Sequence, residues 1–527
     1  MRHTLKYEAM DEALSAVICA APHQDLFKKS LNGGATTRFA AVTLLMRVSV
    51  VFFWMWAMPL LMTAQSIDDG LRHTQFNTAP TARMAALGAG YIGVADDFGA
   101  LYSNPAGLTL LPLAEFSAGL QATFVRNRTT YFGQSTDWSA SPSFALSHIG
   151  LALPIRGRDL TLCFALGFSR ENEFSDADSV IGFNPSSSIV QQWVRSQNGA
   201  DLTTNRAWQL ALADTVRGRF ITPLTGNLTQ AAFTQQSGGM NAFTLGGAFD
   251  IGTTFSFGAS VLFSFGNYTY TRDYQETDTQ NRYNRLDVIN FTTIDFTNLT
   301  VRDSYTQQIG GVRAVLGGQA RIGDNVRVSL AATTPGAYQI TESYSSNSVA
   351  LFDNGDTKRY GTGSQSGTGD YTYTVTTPWK FAGGVSVHFS GLTATIGGEY
   401  VNLQEMKFAP SDGSASSGVL NDLNANLRRV LVGQPNVGVG AEYEIPNAPV
   451  VVRGSVTYLG SPYQQSSLQA SATILAAGAG VYLAPNTRLD AMYRFYQRSY
   501  QTDVDGSASY QGTQNFGQAS VQIVTRF

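Results

Sequence analysis

The last thirteen residues, Asn515 to Phe527, limit the fold more than any other stretch. Phe527, Thr525, Ile523, Val521 and Ala519 fall on one face of an extended chain. Arg526, Gln522, Ser520 and Gln518 fall on the other, with Val524 the one apolar exception. Side chains alternate with period two along a strand, so this segment has an apolar side, a polar side and an aromatic end. It suits a wall with lipid outside and a wet lumen inside. Soluble sheets alternate too, so what separates the two is the number of such segments and how they are joined.

After Pro112, fourteen segments alternate: 114–125, 142–154, 159–170, 239–250, 254–268, 304–321, 325–342, 370–389, 391–405, 433–444, 449–459, 470–483, 487–501 and 515–527. In the fifth, Phe255, Phe257, Ala259, Val261, Phe263 and Phe265 oppose Ser256, Gly258, Ser260 and Ser264. A soluble core would be left unfilled by so many small polar residues. Short turns (Arg156-Gly157-Arg158, Ile251-Gly252-Thr253, Gly323-Asp324-Asn325, Ser390-Gly391, Pro446-Asn447, Pro485-Asn486) alternate strictly with longer connections, the largest being 171–238 and 269–303. An even strand count with long loops on one side is the pattern of bacterial outer-membrane barrels, and a soluble sandwich has no reason to keep it. The predicted fold is all-β and transmembrane: a 14-stranded antiparallel outer-membrane β-barrel over 114–527, with both ends in the periplasm. Composition agrees, with 14% charged residues, 52 Gly, 31 Phe and 23 Tyr among 527, and a mean hydropathy of -0.07. The net charge of -3 provides no basic surface for nucleic acid. Outer-membrane lipid is an expected partner, as is the barrel assembly machinery through Phe527.

Val48 to Met62 (VSVVFFWMWAMPLLM) is an apolar run behind Met46-Arg47 that ends at Thr63-Ala64. This predicts a signal peptide over 46–64, cleaved before Gln65; a membrane-crossing helix needs about 20 apolar residues. Residues 1–45 carry no clear pattern and are read as either an upstream extension or an unusually long n-region of the signal. Cys163 alone would remain in the mature chain, so no disulfide forms within it.

Residues 65–113 precede the first strand and include ARMAALGAGYIGVADDFGALYSNPAGL, from Ala82 to Leu108. The stretch is too apolar and Gly-rich for a free tail, and too short for a core of its own. A barrel lumen would shelter it as an N-terminal hatch. Asn104-Pro105 predicts a turn, and Asp96-Asp97 predicts the cap of a short helix from Phe98 to Tyr102. This stretch resembles the amino-terminal hatch of the FadL/TodX family of outer-membrane transport proteins. Thr377-Pro378-Trp379 before a strand and the fourteen-strand count are also similar to that family, over about residues 65–527. The resemblance implies passive, hatch-gated uptake of hydrophobic compounds such as long-chain fatty acids or aromatic hydrocarbons. It implies hatch roles for Asn104, Pro105 and Ala106, and an exit that leads sideways through a kinked strand.

Two further features bear on such a role. In the second segment Phe144 and Leu146 share one phase while Ile149, Leu151 and Leu153 share the other, so a bulge is expected at Ser147-His148. It either adjusts register or opens the wall. Lys380, Arg453, Arg494 and Arg498 fall on lumen faces and suit a carboxylate ligand, or else pair with Asp490 and Glu399. Loop 171–238 holds Ile189, Val190, Trp193 and Val194, enough for a small helical subdomain over the pore, although a variable surface loop is the plainer reading for most of its length. No G-x-S-x-G elbow or metal-ligand spacing occurs, and only His73, His148 and His388 follow the signal. No enzyme, cofactor or metal is therefore expected. The alternatives are a docking component of a secretion system, a receptor for haem (through His148 and His388) or another hydrophobic ligand, and an open porin, which an apolar plug argues against.

Overall fold

The computed structural model describes residues 67–527 apart from 75–78, 159, 197–201, 203–204, 253, 285–294, 362–366, 412–414, 466–470, 505 and 507. The expected signal peptide and upstream extension lie outside the described residues. Fourteen staves form a closed antiparallel barrel. They are β1 (Glu115–Tyr131), β2 (Ser143–Arg156), β3 (Thr161–Glu173), β4 (Leu228–Ile251), β5 (Phe255–Thr277), β6 (Phe296–Ile322) and β7 (Val326–Thr333, continued by Ala337–Phe352). Then follow β8 (Thr368–Thr376, continued by Lys380–Phe389), β9 (Leu392–Asn402), β10 (Gly433–Glu444), β11 (Val450–Leu459), β12 (Ala472–Ala484), β13 (Thr487–Asp503) and β14 (Ser509–Arg526). β14 pairs with β1 from Arg526↔Glu115 up to Gln511↔Thr130, which closes the ring and leaves no strand edge in lipid.

The alternation read from the sequence is the alternation of the wall. On β5, Ser256, Ser260 and Ser264 are buried inside while Phe255, Phe257, Phe263 and Phe265 are exposed outside. On β1 the outward apolar positions run Phe116, Ala118, Leu120, Ala122 and Phe124. Eight residue steps at about 3.4 Å, tilted by about 40°, span roughly 21 Å, close to the ~25 Å apolar band of such barrels. No helix among the described residues is long and apolar enough to cross a membrane. Strands cross here instead, and the outward apolar band makes this an outer-membrane-type barrel.

The staves rise further on the long-loop side than expected. β4 begins at Leu228 rather than 239, β5 runs to Thr277 rather than 268, and β6 begins at Phe296 rather than 304. Above the band neither face meets lipid, so the strands there are rich in Thr, Gln and Tyr and lose the apolar period. Loops 171–238 and 269–303 are therefore partly strand: Asp176–Asn184 pairs with the top of β4. Loop 171–238 also builds a second core. Ile189, Val190, Trp193 and Val194 of one helix pack with Leu210, Phe220, Leu224, Tyr274, Phe352 and Tyr510. A plain surface loop does not describe it.

Candidate functional site

The N-terminal segment lies inside the lumen and touches the wall on nearly every side. It contains α1 (Ile67–Thr74), α2 (Ala82–Leu87), α3 (Tyr91–Val94), α4 (Ala100–Ser103) and a 3-10 turn over Pro105–Leu110. Thr81 caps α2 by accepting from the Met84 backbone N–H. Ala82, Ala85 and Ala86 then press on Met492 of β13, small residues being what a helix needs to approach a wall this closely.

Charge fixes α2 in place. The Arg83 guanidinium donates to Glu442 with two nitrogens at 2.8 Å, to Asp96 at 2.6 Å and to Asp97 at 2.9 Å. Glu442 also accepts from Arg453 at 2.5 Å, and Arg453 reaches Asp490 at 2.8 Å. Arg327 takes the other oxygen of Asp96 at 2.7 Å. Gln522 donates to Asp490 at 2.9 Å and accepts from the Ala82 backbone at 2.7 Å. Burial alone would raise the Asp96 carboxyl, but Arg83 and then Arg327 outweigh it and hold it well below the usual carboxylate range. Asp97 accepts from Tyr91 at 2.5 Å and from the Gly99 N–H at 2.8 Å, just ahead of α4. Only half of the expected cap is therefore observed: Asp97 serves the helix start, Asp96 faces two arginines, and the helix begins at Ala100.

Asn104, Pro105 and Ala106 dock on the wall of β5 and β6. Asn104 donates to the Gly318 carbonyl at 3.2 Å, accepts from the Ala106 N–H at 3.3 Å, and packs with Pro105 against Gly317 and Gly258. Thr109 donates to Ser256 at 2.9 Å.

The bulge lies at the expected residues. β1–β2 pairing jumps from Gly119↔His148 to Leu120↔Leu146, leaving Ser147 out of register. Pairing between β2 and β3 runs from Arg156↔Thr161 only as far as His148↔Ser169. Above His148, β2 pairs with β1 alone, and the β2–β3 ladder stops there. Plug residues pack on the inner face at the end of that ladder and just below it. His148 bonds through one ring nitrogen to the Pro80 carbonyl at 2.9 Å and through the other to Ser117 at 2.7 Å. The Phe98 ring stacks on His148 with centroids 5.8 Å apart. It seats directly against Gly150 of β2 and Gly167 of β3, where any Cβ would collide with the ring. Glu115 anchors Phe98 by accepting its backbone N–H at 2.8 Å, and Arg526 donates to the same carboxylate at 2.8 Å.

The four candidate cations differ. Arg453 is committed to Glu442 and Asp490, and Lys380 lies 3.1 Å from Glu399. Arg498 donates to Gln514 at 2.7 Å, which in turn donates to Asp176 at 2.9 Å. Arg494 is 6% exposed, and its Nε has no acceptor among the described residues. It sits one inward step above Met492, over α2. In register with it, Gln518 and then Thr123 face the same space, and Gln518 Oε1, Thr123 Oγ1 and the nearby Ser520 Oγ are also buried without partners among the described residues. His148 and His388 lie on β2 and β8, half the ring apart, with His388 bonded to Ser386 and Thr393 beside a short turn. The structure does not bring them together.

Higher in the lumen, α1 is held differently. Leu71 joins Tyr268, Ile309, Tyr338, Tyr373, Met406 and Phe408, with Leu420, Leu423 and Leu427 of α5 (Ser417–Val430) completing the cluster. Arg72 lies 3.6 Å over the Tyr268 ring. Phe98, Arg83 and α1 were not singled out from the sequence. Arg83 alone carried a signal, being one cation in an apolar stretch that must sit inside a lumen and so needs a buried partner.

The class defined by these features is a plugged outer-membrane-type barrel. No protein-family model matches the chain, and no curated protein matches it. Among solved structures it is similar to a Pseudomonas aeruginosa FadL homologue, with 12% identity, a TM-score of 0.52, and coverage of 86% of this chain and 99% of that one. It is also similar to a deletion mutant of the TodX monoaromatic hydrocarbon channel, with 12% identity, a TM-score of 0.51, and coverage of 86% and 100%. At such identities the likeness is one of fold.

Proposed function

We propose that this barrel takes up hydrophobic small molecules from outside the cell, with the N-terminal segment as its gate and the wall at Ser147-His148 as a sideways outlet. The observation that carries this reading is the end of the β2–β3 ladder at His148, a residue held by the Phe98 ring and the Pro80 carbonyl, both from the plug. A shift of the plug withdraws both contacts together and leaves an opening toward lipid, where an apolar solute is stabilised by about 0.8 kcal/mol per methylene. An open water pore has no use for such a stopper. The two barrels that share the fold, a FadL homologue and a hydrocarbon channel by name, support the reading.

Within it, the solute enters by displacing α1 from the upper apolar cluster, and a carboxylate head comes to rest at Arg494, with Gln518, Thr123 and Ser520 around it. A buried guanidinium without an anion is costly, and an arginine matches a carboxylate with two parallel bonds. Of the four candidate cations, Arg494 alone makes no hydrogen bond or ion pair among the described residues. Asn104, Pro105 and Ala106 form the pivot that keeps the plug on β5 and β6.

The test is uptake into proteoliposomes of radiolabelled oleate and of oleyl alcohol, the neutral analogue. Saturable uptake of oleate is expected, and Arg494→Gln should weaken it about tenfold, the size of one charge-assisted contact, while sparing the alcohol. Absence of uptake of either by the folded barrel would reject the function. Equal loss of both would reject Arg494 as the head-group site.

A further inference from the structure

The outer surface of the barrel carries a charged feature that the lumen does not explain. Along β1 the outward positions are apolar up to Phe124 and then change without a change of phase to Arg126 and Arg128. Neighbouring strands change at the same level. Phe124 pairs with Gly517 and Gly517 with Phe495, which makes the last apolar row; Arg126 pairs with Asn515 and Asn515 with Gln497, which makes the first polar one. The Tyr493 ring leans over Gly517 just beneath, an amphipathic ring at the boundary where such rings concentrate.

A groove of about 640 Å³ opens at this boundary, lined by Arg126, Arg128, Asp137, Phe495, Gln497, Thr513 and Asn515. The two guanidiniums sit two residues apart on one face, about 7 Å along the strand. Asp137 is 3.9 Å from Arg126, beyond hydrogen-bond reach, and Arg128 makes no ion pair among the described residues. Arg302 and Asp273, at comparable exposure on the same outer side, instead close into a two-point pair. Exposure alone therefore does not explain why Arg126 and Arg128 lack a hydrogen-bonded carboxylate among the described residues. The surroundings of the groove combine an apolar floor at membrane depth with two cations directly above it.

We propose that this groove binds a phosphorylated glycolipid of the outer leaflet, with its phosphate groups on Arg126 and Arg128 and its acyl chains on the band below, along Phe124, Ala519, Val521 and Phe495. Guanidiniums bind phosphate oxygens in pairs. A site at the head-group level of the outer leaflet meets such phosphates at high density, and the continuity of the groove with the lipid-facing band selects a lipid over a soluble anion. Asp137 opposes the phosphates and tunes the affinity downward. The proposal does not depend on what the channel carries.

The test uses the purified full barrel in detergent, with bisphosphorylated lipid A as probe and native mass spectrometry as readout. Heat-modifiable migration on gels confirms folding of each variant. The expected result is one retained lipid A per barrel, binding at least about tenfold weaker in the Arg126→Gln/Arg128→Gln double variant, tighter binding in Asp137→Asn, and little retention of dephosphorylated lipid A. Undiminished binding by the folded double variant, or equal retention of the dephosphorylated lipid, would overturn it. Full displacement by millimolar inorganic phosphate would show an anion site without lipid selectivity and overturn it equally.

Discussion

The lower and upper parts of the N-terminal segment are held by different forces. Around α2 the contact with the wall is ionic and closed: Arg83, Glu442, Arg453, Asp490, Asp96 and Arg327 form one connected set. Around α1 the contact is mixed: Leu71 lies among the aromatic and aliphatic residues of the upper staves and α5, and hydrogen bonds run to neutral side chains, Arg72 to Tyr268, Gln307 to Asp69 and Tyr463 to Asp68. Ion pairs at a buried site are specific in geometry and punish the loss of one partner. Apolar contacts are non-directional, and any solute of similar greasiness replaces them. Under the proposed function, a gate that stays shut against water and yields to a hydrophobic solute gains from this division, with a fixed seat below and a more replaceable filling above.

The difference is open to attack from both ends. The largest effect is expected from Arg83→Ala, which leaves Glu442, Asp96 and Asp97 facing one another with less compensation. Removing one partner of a buried set costs about 3–5 kcal/mol, so the plug should detach. Continuous ion conductance in planar bilayers is the expected reading, and a silent bilayer with folded R83A protein would count against the ionic seat. Leu71→Ala should cost the docking of α1 about 2–3 kcal/mol, at the low end for a buried leucine because the helix end is near solvent. It should ease solute capture without raising conductance. If L71A conducts as R83A does, the two parts are not separable.

The smallest effect is expected from pH. Because the Asp96 carboxyl is depressed in the folded protein, its stabilising contribution is complete above the unfolded value of about 3.9 and is lost only as pH falls through the lower folded value. Plug retention, read as protection of the Ala82–Leu108 stretch from protease, should be flat from pH 8 to about 4. Release near pH 6 would show that another group governs the seat.

Much of the wall was legible in the sequence, because lipid on one side and water on the other impose a strict period that Phe255 to Phe265 display residue by residue. The upper strands were not, since Leu228 to Ser237 pair with neighbours where no lipid enforces alternation. The bulge was legible because a phase flip at Ser147-His148 has no other cheap explanation within a strand. The ring packed beside it was not: Phe98 is one of 31 phenylalanines, and only the fold brings it to Gly150 and Gly167. The cations were legible as a set of four but not as individuals, because whether an arginine is free depends on partners such as Glu442 and Asp490 on other staves. Arg126 and Arg128 were visible as charges, yet their meaning rests on the level of Phe124 and Phe495, which the sequence does not align.

The most direct test of a moving plug is to fasten it. A Cβ built on Gly478 lies 3.0 Å from the Cβ of Ala86, within a small adjustment of the ~3.8 Å that a disulfide spans. Ala86→Cys with Gly478→Cys therefore ties α2 to the wall without touching Arg494, Phe98 or the upper cluster. Oleate uptake into proteoliposomes should be abolished in the oxidised double variant and return on reduction. Equal uptake in both redox states, with the crosslink verified by mass, would contradict the account.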